Sequence, residues 1–134
     1  ELLGSGISWK VILVGVGSLG DALLRYRGFE QMGFRLAAAF DVSPGKIGRR
    51  IGETVVEDFA LLQGSCASVQ PDLAILAVPV TAALDVAAQV ASVGVTGILN
   101  FTPMTIKLPP SIAVINVDLA SELQRLAFAV HANR

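Results

Sequence analysis

The chain has 134 residues, enough for one domain with its own core but too few for an additional substrate-binding domain. Hydrophobic residues make up 53% and charged residues 16%, a composition typical of a sheet covered on both faces, or of a subunit that buries surface in an oligomer. The net charge of −1 excludes the basic stripe that duplex DNA binding requires, so we expect no direct contact of this chain with nucleic acid.

Cysteine usage and hydropathy indicate the compartment. The single cysteine, Cys66, cannot form an intrachain disulfide, and the N-terminus lacks the basic and apolar pattern of a secretion signal. The apolar runs at residues 11–14 and 73–78 fall far short of the ~20 residues that a membrane-spanning helix needs. We therefore expect a soluble, cytoplasmic protein with no membrane partner.

The first third of the chain predicts a strand, a helix and a second strand. "KVILV" is a short β-branched run that Gly15 ends, which favours a buried strand. The next apolar residues, from Leu19 to Tyr26, fall at i, i+3, i+4 and i+7 and predict a helix with one apolar stripe, which a glycine then interrupts. Residues 34–40 predict the second strand, which ends in a Pro-Gly turn.

The rest of the chain continues the alternation. "ETVVED" predicts a short third strand, and residues 71–79, with a proline at each end, predict the fourth. A helix follows, with Val86, Val90 and Val93 on one stripe and Gly94 at its C-terminal end. "VTGILNFTP" and "IAVINV" predict the fifth and sixth strands, and "DLASELQRLAFAV" a closing helix.

This order of elements predicts the fold class. Strands that alternate with helices are typical of the α/β class with a doubly wound, mostly parallel sheet, the Rossmann arrangement. The sequence contains no internal repeat or linker, so we expect a single domain over residues 1–134.

A glycine motif follows the first predicted strand. Gly15, Gly17 and Gly20 have the spacing G-x-G-x-x-G, and the acidic Asp41 stands about 20 residues farther along, where a dinucleotide-binding fold places it. The glycines would let the backbone approach a diphosphate at the helix N-terminus, and Asp41 would accept hydrogen bonds from the ribose hydroxyls. A 2′-phosphate would be repelled there, which favours NAD and NADH over NADP, although basic residues such as Lys46 lie nearby.

Ligands of open α/β sheets bind beyond the carboxyl ends of the strands, so the loops after the fourth and fifth strands should complete the pocket. For each of these strand-end residues an ordinary loop position is an equally good interpretation. The predicted cofactor-binding residues of the glycine loop and the strand ends are Gly15, Val16, Gly17, Ser18, Leu19, Gly20, Asp41, Lys46, Val78, Pro79, Asn100 and Phe101.

The sequence shows no candidate catalytic group. The only histidine, His131, is placed on the tail of the last helix, and Cys66 is more typical of a buried or half-buried thiol than of a nucleophile. No metal site is predicted either. The pattern therefore favours a cofactor-binding module that is not an enzyme. Two alternatives remain, the nucleotide domain of a small NAD-dependent dehydrogenase and a coenzyme A-binding module of similar topology.

Several segments resemble a known family. "VGVGSLGDALLRYRGFEQMGF", "ILAVP", "GILNFTP" and "VDLASELQRLAF" are together similar to the Rex family of redox-sensing transcriptional repressors. The resemblance implies a homodimer in which an N-terminal winged-helix domain binds operator DNA and a Rossmann domain responds to NADH and NAD, with NADH favouring release of the DNA. No winged helix lies within these 134 residues, so we expect operator DNA to be bound only through such a domain.

The resemblance also implies roles for two further residues. Tyr26 matches the family's tyrosine near the nicotinamide, and Asp118 matches an acid that reaches over from the partner subunit. Each has an ordinary alternative, since Tyr26 continues the apolar stripe of its helix into the core and Asp is a favoured helix N-cap.

The closing helix predicts a dimer. Leu119, Leu123, Leu126 and Val130 form one apolar stripe, and further apolar residues, Phe128 among them, widen it beyond what a helix packed on one sheet needs. In the family that the chain resembles, this helix is exchanged between subunits. We therefore predict an exchange that brings Asp118 near the partner's Tyr26, with a helix folded back on its own sheet as the alternative.

Overall fold

Seven strands form one sheet in the computed structural model, which describes residues 8–133. Their bounds, in chain order, are β1 Trp9–Val14, β2 Phe34–Asp41, β3 Arg50–Ile51, β4 Thr54–Asp58, β5 Leu73–Leu76, β6 Gly97–Asn100 and β7 Ala113–Asn116. The strand order is β3-β4-β2-β1-β5-β6-β7, and every pairing is parallel except that of β3 with β4. Without β3, the remaining strands follow the order 3-2-1-4-5-6 of the doubly wound fold, which confirms the predicted class.

Helices pack on both faces of the sheet, although no residue of the last helix is buried. In the described part of the chain they are α1 Ser18–Arg25, α2 Gly28–Gln31, α3 Leu62–Val69, α4 Ala83–Ala91 and α5 Leu119–Ala132. Short 3₁₀ turns at Phe59–Leu61 and Val80–Ala82 lead into α3 and α4. None of these helices is both long enough and apolar enough to cross a bilayer.

The position of β1 in the middle of the sheet explains why residues 11–14 are all apolar. Val11 and Leu13 belong to the core on the α1 side, whereas Ile12 and Val14 belong to the core beneath α3 and α4. All four side chains are buried because both faces of β1 are covered and β2 and β5 flank it. Hydrophobic residues at both alternating positions are therefore required.

Strand β3 and the helices α2 and α3 were not predicted, whereas β4 is the predicted third strand. The pair β3–β4 is an antiparallel hairpin whose turn contains Gly52 at φ +62°, and β3 is too short to show a period in the sequence. In α3, Leu62 and Cys66 face inward one turn apart, while the other residues are small or polar and give little helical periodicity. The single turn α2 follows directly after α1. The expectation that Cys66 is a buried thiol is confirmed.

Backbone hydrogen bonds continue for one residue beyond the carboxyl ends of the parallel strands. The amide that follows a strand donates to a carbonyl at the end of the neighbouring strand at 2.8–2.9 Å, in the pairs Gly15 to Phe40, Ala77 to Val14, Phe101 to Leu76 and Val117 to Asn100. This arrangement brings the loops after β1, β2, β5 and β6 to one edge of the sheet, where ligands of this fold bind.

Candidate nucleotide-binding site

The turn after β1 requires a glycine at its first position. Gly15 has φ +100°, a conformation that L side chains rarely adopt. A Cβ atom there would overlap the carbonyl oxygen of Ala77 and would lie 3.1 Å from Val78 Cγ1. The absence of a side chain thus allows the β1 turn to lie directly against the end of β5.

The two other motif glycines differ in their surroundings. A Cβ atom on Gly20 would overlap the Gly15 carbonyl oxygen and would lie 3.3 Å from Leu13 Cδ2, so this glycine lets α1 approach the end of β1. A Cβ atom on Gly17 would meet no atom within 4 Å. The space above Gly17 is therefore open to a ligand.

The N-terminus of α1 begins immediately after this open position. Gly17 is the N-cap and offers no side-chain cap, and the first helical residues are Ser18 and Leu19. Amides in the first turn of a helix have no intrahelical acceptor and carry the positive end of the helix dipole. The loop and this first turn together form a suitable cradle for a diphosphate.

Asp41 fixes the geometry of the glycine loop. One carboxylate oxygen accepts a hydrogen bond from the Val16 amide at 2.8 Å, and the other accepts from the Ser43 amide at 2.8 Å. Each oxygen keeps a further lone pair for a ribose hydroxyl. Sequence reasoning predicted the contact with ribose, but it did not predict that Asp41 also joins the end of β2 to the turn after β1.

A cleft of about 520 Å³ opens at this edge of the sheet. It brings together seven of the predicted residues, namely Gly15, Val16, Gly17, Asp41, Lys46, Val78 and Pro79. Unpredicted residues complete its wall, namely Val14, Val42, Ser43, Phe59, Ala77, Ala82 and Val86. The strand-end neighbours among them could have been found from their position, whereas Phe59 and Val86 reach the cleft through the packing of the 3₁₀ turn and α4.

Asn100 does not line this cleft. Its side chain is fully buried, and its Nδ2 donates to the Met104 carbonyl at 2.7 Å and to Asn116 Oδ1 at 2.8 Å. Its Oδ1 accepts from the Thr102 amide at 3.0 Å and from Thr102 Oγ1 at 2.7 Å. The side chain therefore holds the loop after β6 and the end of β7 together. Its predicted contact with the cofactor has no support in this arrangement.

The neighbouring Phe101 is also outside the cleft. It is partly buried against the core on the α1 side of the sheet. Its contact with the cofactor thus remains a prediction, to be tested with the ligand bound.

Tyr26 lies at the opposite end of α1 from the glycine loop, and the alternative interpretation, in which it continues the stripe into the core, is wrong. Its side chain is 55% exposed, and α1 ends at Arg25, immediately before it. Tyr26 lines a separate polar cavity beside β2 and β4 instead of the cleft. Tyr26 does not line the cleft, and its place near a nicotinamide stays a prediction.

Asp118 is the N-cap of α5, so its ordinary interpretation is confirmed. Its carboxylate accepts from the Ser121 hydroxyl at 2.8 Å and from the Ser121 amide at 3.2 Å. These hydrogen bonds to Ser121 lower the pKa of the Asp118 carboxyl from its ordinary value. The carboxylate is exposed and ionised at neutral pH, away from the cleft.

Basic side chains lie close to Asp21, the acidic residue in the first turn of α1. The hydrogen bond from Arg25 lowers the pKa of the Asp21 carboxyl, and the charges of Arg25, Arg49 and Lys46 lower it further. Lys46 also lines the cleft. Cationic side chains near a helix N-terminus favour an anionic ligand.

A glycine loop and a helix N-terminus at the point where the strand order reverses define a nucleotide-binding domain of the Rossmann type. The family described as CoA binding domain matches residues 7–104, and the chain belongs to that family.

Within that fold the chain is similar to Rex proteins. It is 57% identical over 129 residues to the redox-sensing transcriptional repressor Rex of Rhodopirellula baltica, an alignment that covers 96% of this chain and 54% of the relative. It superimposes on RSP, a Rex-family repressor, in complex with beta-NADH with a TM-score of 0.90 and 29% identity, over 97% of this chain and 63% of that one. The complex of RSP with beta-NAD+ and operator DNA gives a TM-score of 0.91 at 29% identity, over 97% and 60% of the two chains.

These findings confirm the resemblance predicted from the sequence. The relatives are named transcriptional repressors and not enzymes. The chain spans a little over half the length of its Rhodopirellula relative, so the activity of a whole Rex protein does not follow for this chain from similarity alone.

Proposed function

We propose that the chain is the NAD(H)-binding, redox-sensing domain of a transcriptional repressor. The observation that carries the proposal is the cleft in which the open position at Gly17, the N-terminus of α1 and the carboxylate of Asp41 meet. The Rex-family relative RSP, whose structures contain NADH or NAD+, has the same fold at 29% identity and supports this cofactor.

The cofactor's groups have natural places in this cleft. The diphosphate would lie over Gly17 against the amides of the first turn of α1. The ribose hydroxyls would donate to Asp41, and the adenine would pack between the exposed side chain of Val42 and the apolar wall near Phe59. Lys46 would stand beside the phosphates as a counter-charge.

Sensing requires that the reduced and oxidised cofactors bind with different affinities, because a ligand shifts an equilibrium only by its differential interaction with the two states. The reduced nicotinamide ring is neutral, whereas the oxidised ring carries a positive charge. Apolar residues after β5, such as Val78 and Pro79, would disfavour the buried cation. NADH should therefore bind more tightly than NAD+.

Calorimetric titration of this chain with NADH and with NAD+ tests the proposal. We expect a smaller dissociation constant for NADH. Equal constants for the two cofactors would overturn sensing, and no binding of either would overturn the site. The dehydrogenase alternative predicts turnover of NADH with a panel of keto acids, which we do not expect because the described cleft contains no His, Cys or Tyr to transfer a proton.

Coenzyme A is a second candidate because of the family to which the chain belongs. It carries a 3′-phosphate on the adenosine ribose, and that group would meet the carboxylate of Asp41. Competition between coenzyme A and NADH distinguishes the two. We expect coenzyme A to displace little bound NADH. Asp41→Asn should reduce the difference in affinity between NADH and coenzyme A, because it removes the negative charge that repels the 3′-phosphate.

A second copy of the chain would complete the molecule. No residue of α5 is buried, and Leu123 and Phe128 are 66% and 75% exposed. On the α1 side of the sheet, β1, β5, β6 and β7 leave an apolar cavity of about 410 Å³, lined by residues such as Phe34, Leu99 and Ile115. A helix that follows the last strand of a doubly wound sheet ordinarily covers such a face. The homodimer proposed here exchanges α5, so that each copy covers the sheet of the other.

Operator DNA would be bound through a domain outside this chain. RSP has been crystallised with operator DNA, and this chain covers 60% of that protein. A repressor of this kind would work in the cytoplasm. Exchange of α5 would bring Asp118 to the partner's Tyr26, so that nucleotide state and subunit geometry could change together.

A further inference from the structure

Gly28 is the first residue of α2, and its backbone conformation is one that other residues can also adopt. Its φ angle lies outside the left-handed region, where the positive-φ residues of the described chain are found. A side chain would therefore cause no backbone strain. What a side chain at this position would change is therefore its surroundings.

Those surroundings are the ring of Tyr26. A Cβ atom on Gly28 would overlap Tyr26 Oη and Cζ and would lie 2.7 Å from Tyr26 Cε2. The ring folds back over the backbone two residues farther along and meets Phe29 edge to face, with ring centroids 4.8 Å apart at an interplanar angle of 82°. Contacts of this geometry favour aromatic pairs.

We infer that Gly28 is a positioning residue for Tyr26. Because Gly28 lacks a side chain, the ring can lie across the backbone and be fixed against Phe29, although more than half of it is exposed. Phe29 and Phe34 line both the polar cavity of Tyr26 and the apolar sheet face, so the fixed ring stands at the border of the surface that α5 of a second copy would cover. Any effect of Gly28 on cofactor sensing rests on the proposed role of Tyr26. The effect of Gly28 on the position of the ring does not depend on that role.

The position of the ring can be measured directly, because Tyr26 is the only tyrosine of the chain. Fluorotyrosine incorporated into the chain gives one ¹⁹F signal. Gly28→Ala should move this signal and remove the nuclear Overhauser effects between Tyr26 and Phe29. Gly64→Ala is the matched control, since Gly64 is also a helical glycine and a Cβ atom there meets nothing within 4 Å. An unchanged signal in Gly28→Ala would overturn the inference.

A double-mutant cycle gives an independent test should Gly28→Ala destabilise the fold. The added methyl group would push the tyrosine ring away from Phe29, so Gly28→Ala should lower the urea midpoint when Tyr26 is present and should leave it unchanged or raise it in a Tyr26→Ala background. Equal effects in both backgrounds would show that Gly28 is needed for another reason and would overturn the inference.

Ligand binding separates this inference from the proposed function. Gly28→Ala and Tyr26→Ala should lower the ratio of NAD+ to NADH dissociation constants by about the same factor, about fivefold or more if Tyr26 takes part in coupling, whereas Gly64→Ala should not. If Tyr26→Ala leaves the ratio unchanged, the proposed role of Tyr26 fails, and the ¹⁹F signal still decides the role of Gly28.

Discussion

Gly15 and Gly17 stand two residues apart in the motif and are glycines for different physical reasons. Gly15 combines a left-handed backbone with a close approach to the Ala77 carbonyl, and both exist without any ligand. Gly17 has an ordinary backbone and free space above it. Substitution at the first should affect folding, and substitution at the second should affect binding.

The variants Gly15→Ala and Gly17→Val test this difference. Gly15→Ala should lower the free energy of unfolding by about 2 kcal/mol or more, because an L side chain at positive φ adds to the backbone overlap. Gly17→Val should leave the unfolding free energy within about 0.5 kcal/mol of the parent. It should weaken NADH by roughly 1–3 kcal/mol, the usual cost of an added side chain in occupied space.

Urea unfolding provides the free energy of unfolding of each variant, and calorimetry provides its affinity for NADH. A Gly17→Val chain that binds NADH as tightly as the parent would contradict the site. A Gly15→Ala chain as stable as the parent would contradict the contact with β5.

Cys66 gives a pH-dependent prediction. Burial, with a smaller effect of the Glu57 charge, raises the pKa of its thiol. In the unfolded chain the thiol ionises near its ordinary value of about 8.5. Thiolate formation thus favours the unfolded state, so Cys66 should contribute full stability below that pH and lose it progressively as the pH rises toward the higher folded pKa.

The measurement compares urea unfolding of the parent and Cys66→Ala between neutral pH and pH values above the ordinary thiol pKa. The substitution leaves a small cavity at every pH, so the pH dependence is the relevant quantity. The parent should lose more stability than the variant as the pH rises. Parallel curves would mean that the thiol is not perturbed.

At the level of elements, helices and strands were predictable where the spacing of their apolar residues matches the positions that are buried. In α4, Val86 and Val90 lie on one face and are both buried as predicted, although the helix ends at Ala91 and does not include Val93. In α3, only Leu62 and Cys66 face inward, and the small residues between them carry no period. The hairpin of β3 and β4 depends on a turn at Gly52 and on pairing partners, which a two-residue strand does not reveal.

The same distinction applies to the site. The glycine loop, Asp41 and the residues after β5 follow from a local motif and from strand order, and the cleft brings them together. Asn100 occupies an equivalent strand-end position, yet Asn116 on the neighbouring strand binds its amide. Which strand-end polar groups stay available to a ligand is decided by such long-range partners, and the sequence alone does not identify them.

The helix α5 offers a test of the proposed exchange. Leu126→Glu places a charge on the exposed apolar stripe, whereas Gln124→Glu adds the same charge at an exposed polar position of the same helix. The first should convert the chain to monomers and the second should not, because only the stripe would be buried in the dimer. Deletion of residues 120–134 should have the same effect as Leu126→Glu.

Light scattering coupled to gel filtration provides the mass of each variant. A parent chain that is monomeric at micromolar concentration would rule out the exchange. A deletion variant that remains a full dimer would rule out α5 as the interface.

At the level of the whole molecule, the isolation of α5 from its own domain has a consequence for helix–coil equilibrium. A free helix of 14 residues is marginal in water, because nucleation is costly and tertiary packing normally supplies most of its stability. The Arg125–Glu122 pair on its surface can add only about 0.2–0.5 kcal/mol. If a second copy supplies the missing packing, the helical content of this protein should depend on its concentration. Far-UV circular dichroism on dilution should show a partial loss of helix while the sheet remains, and α5 should unravel first.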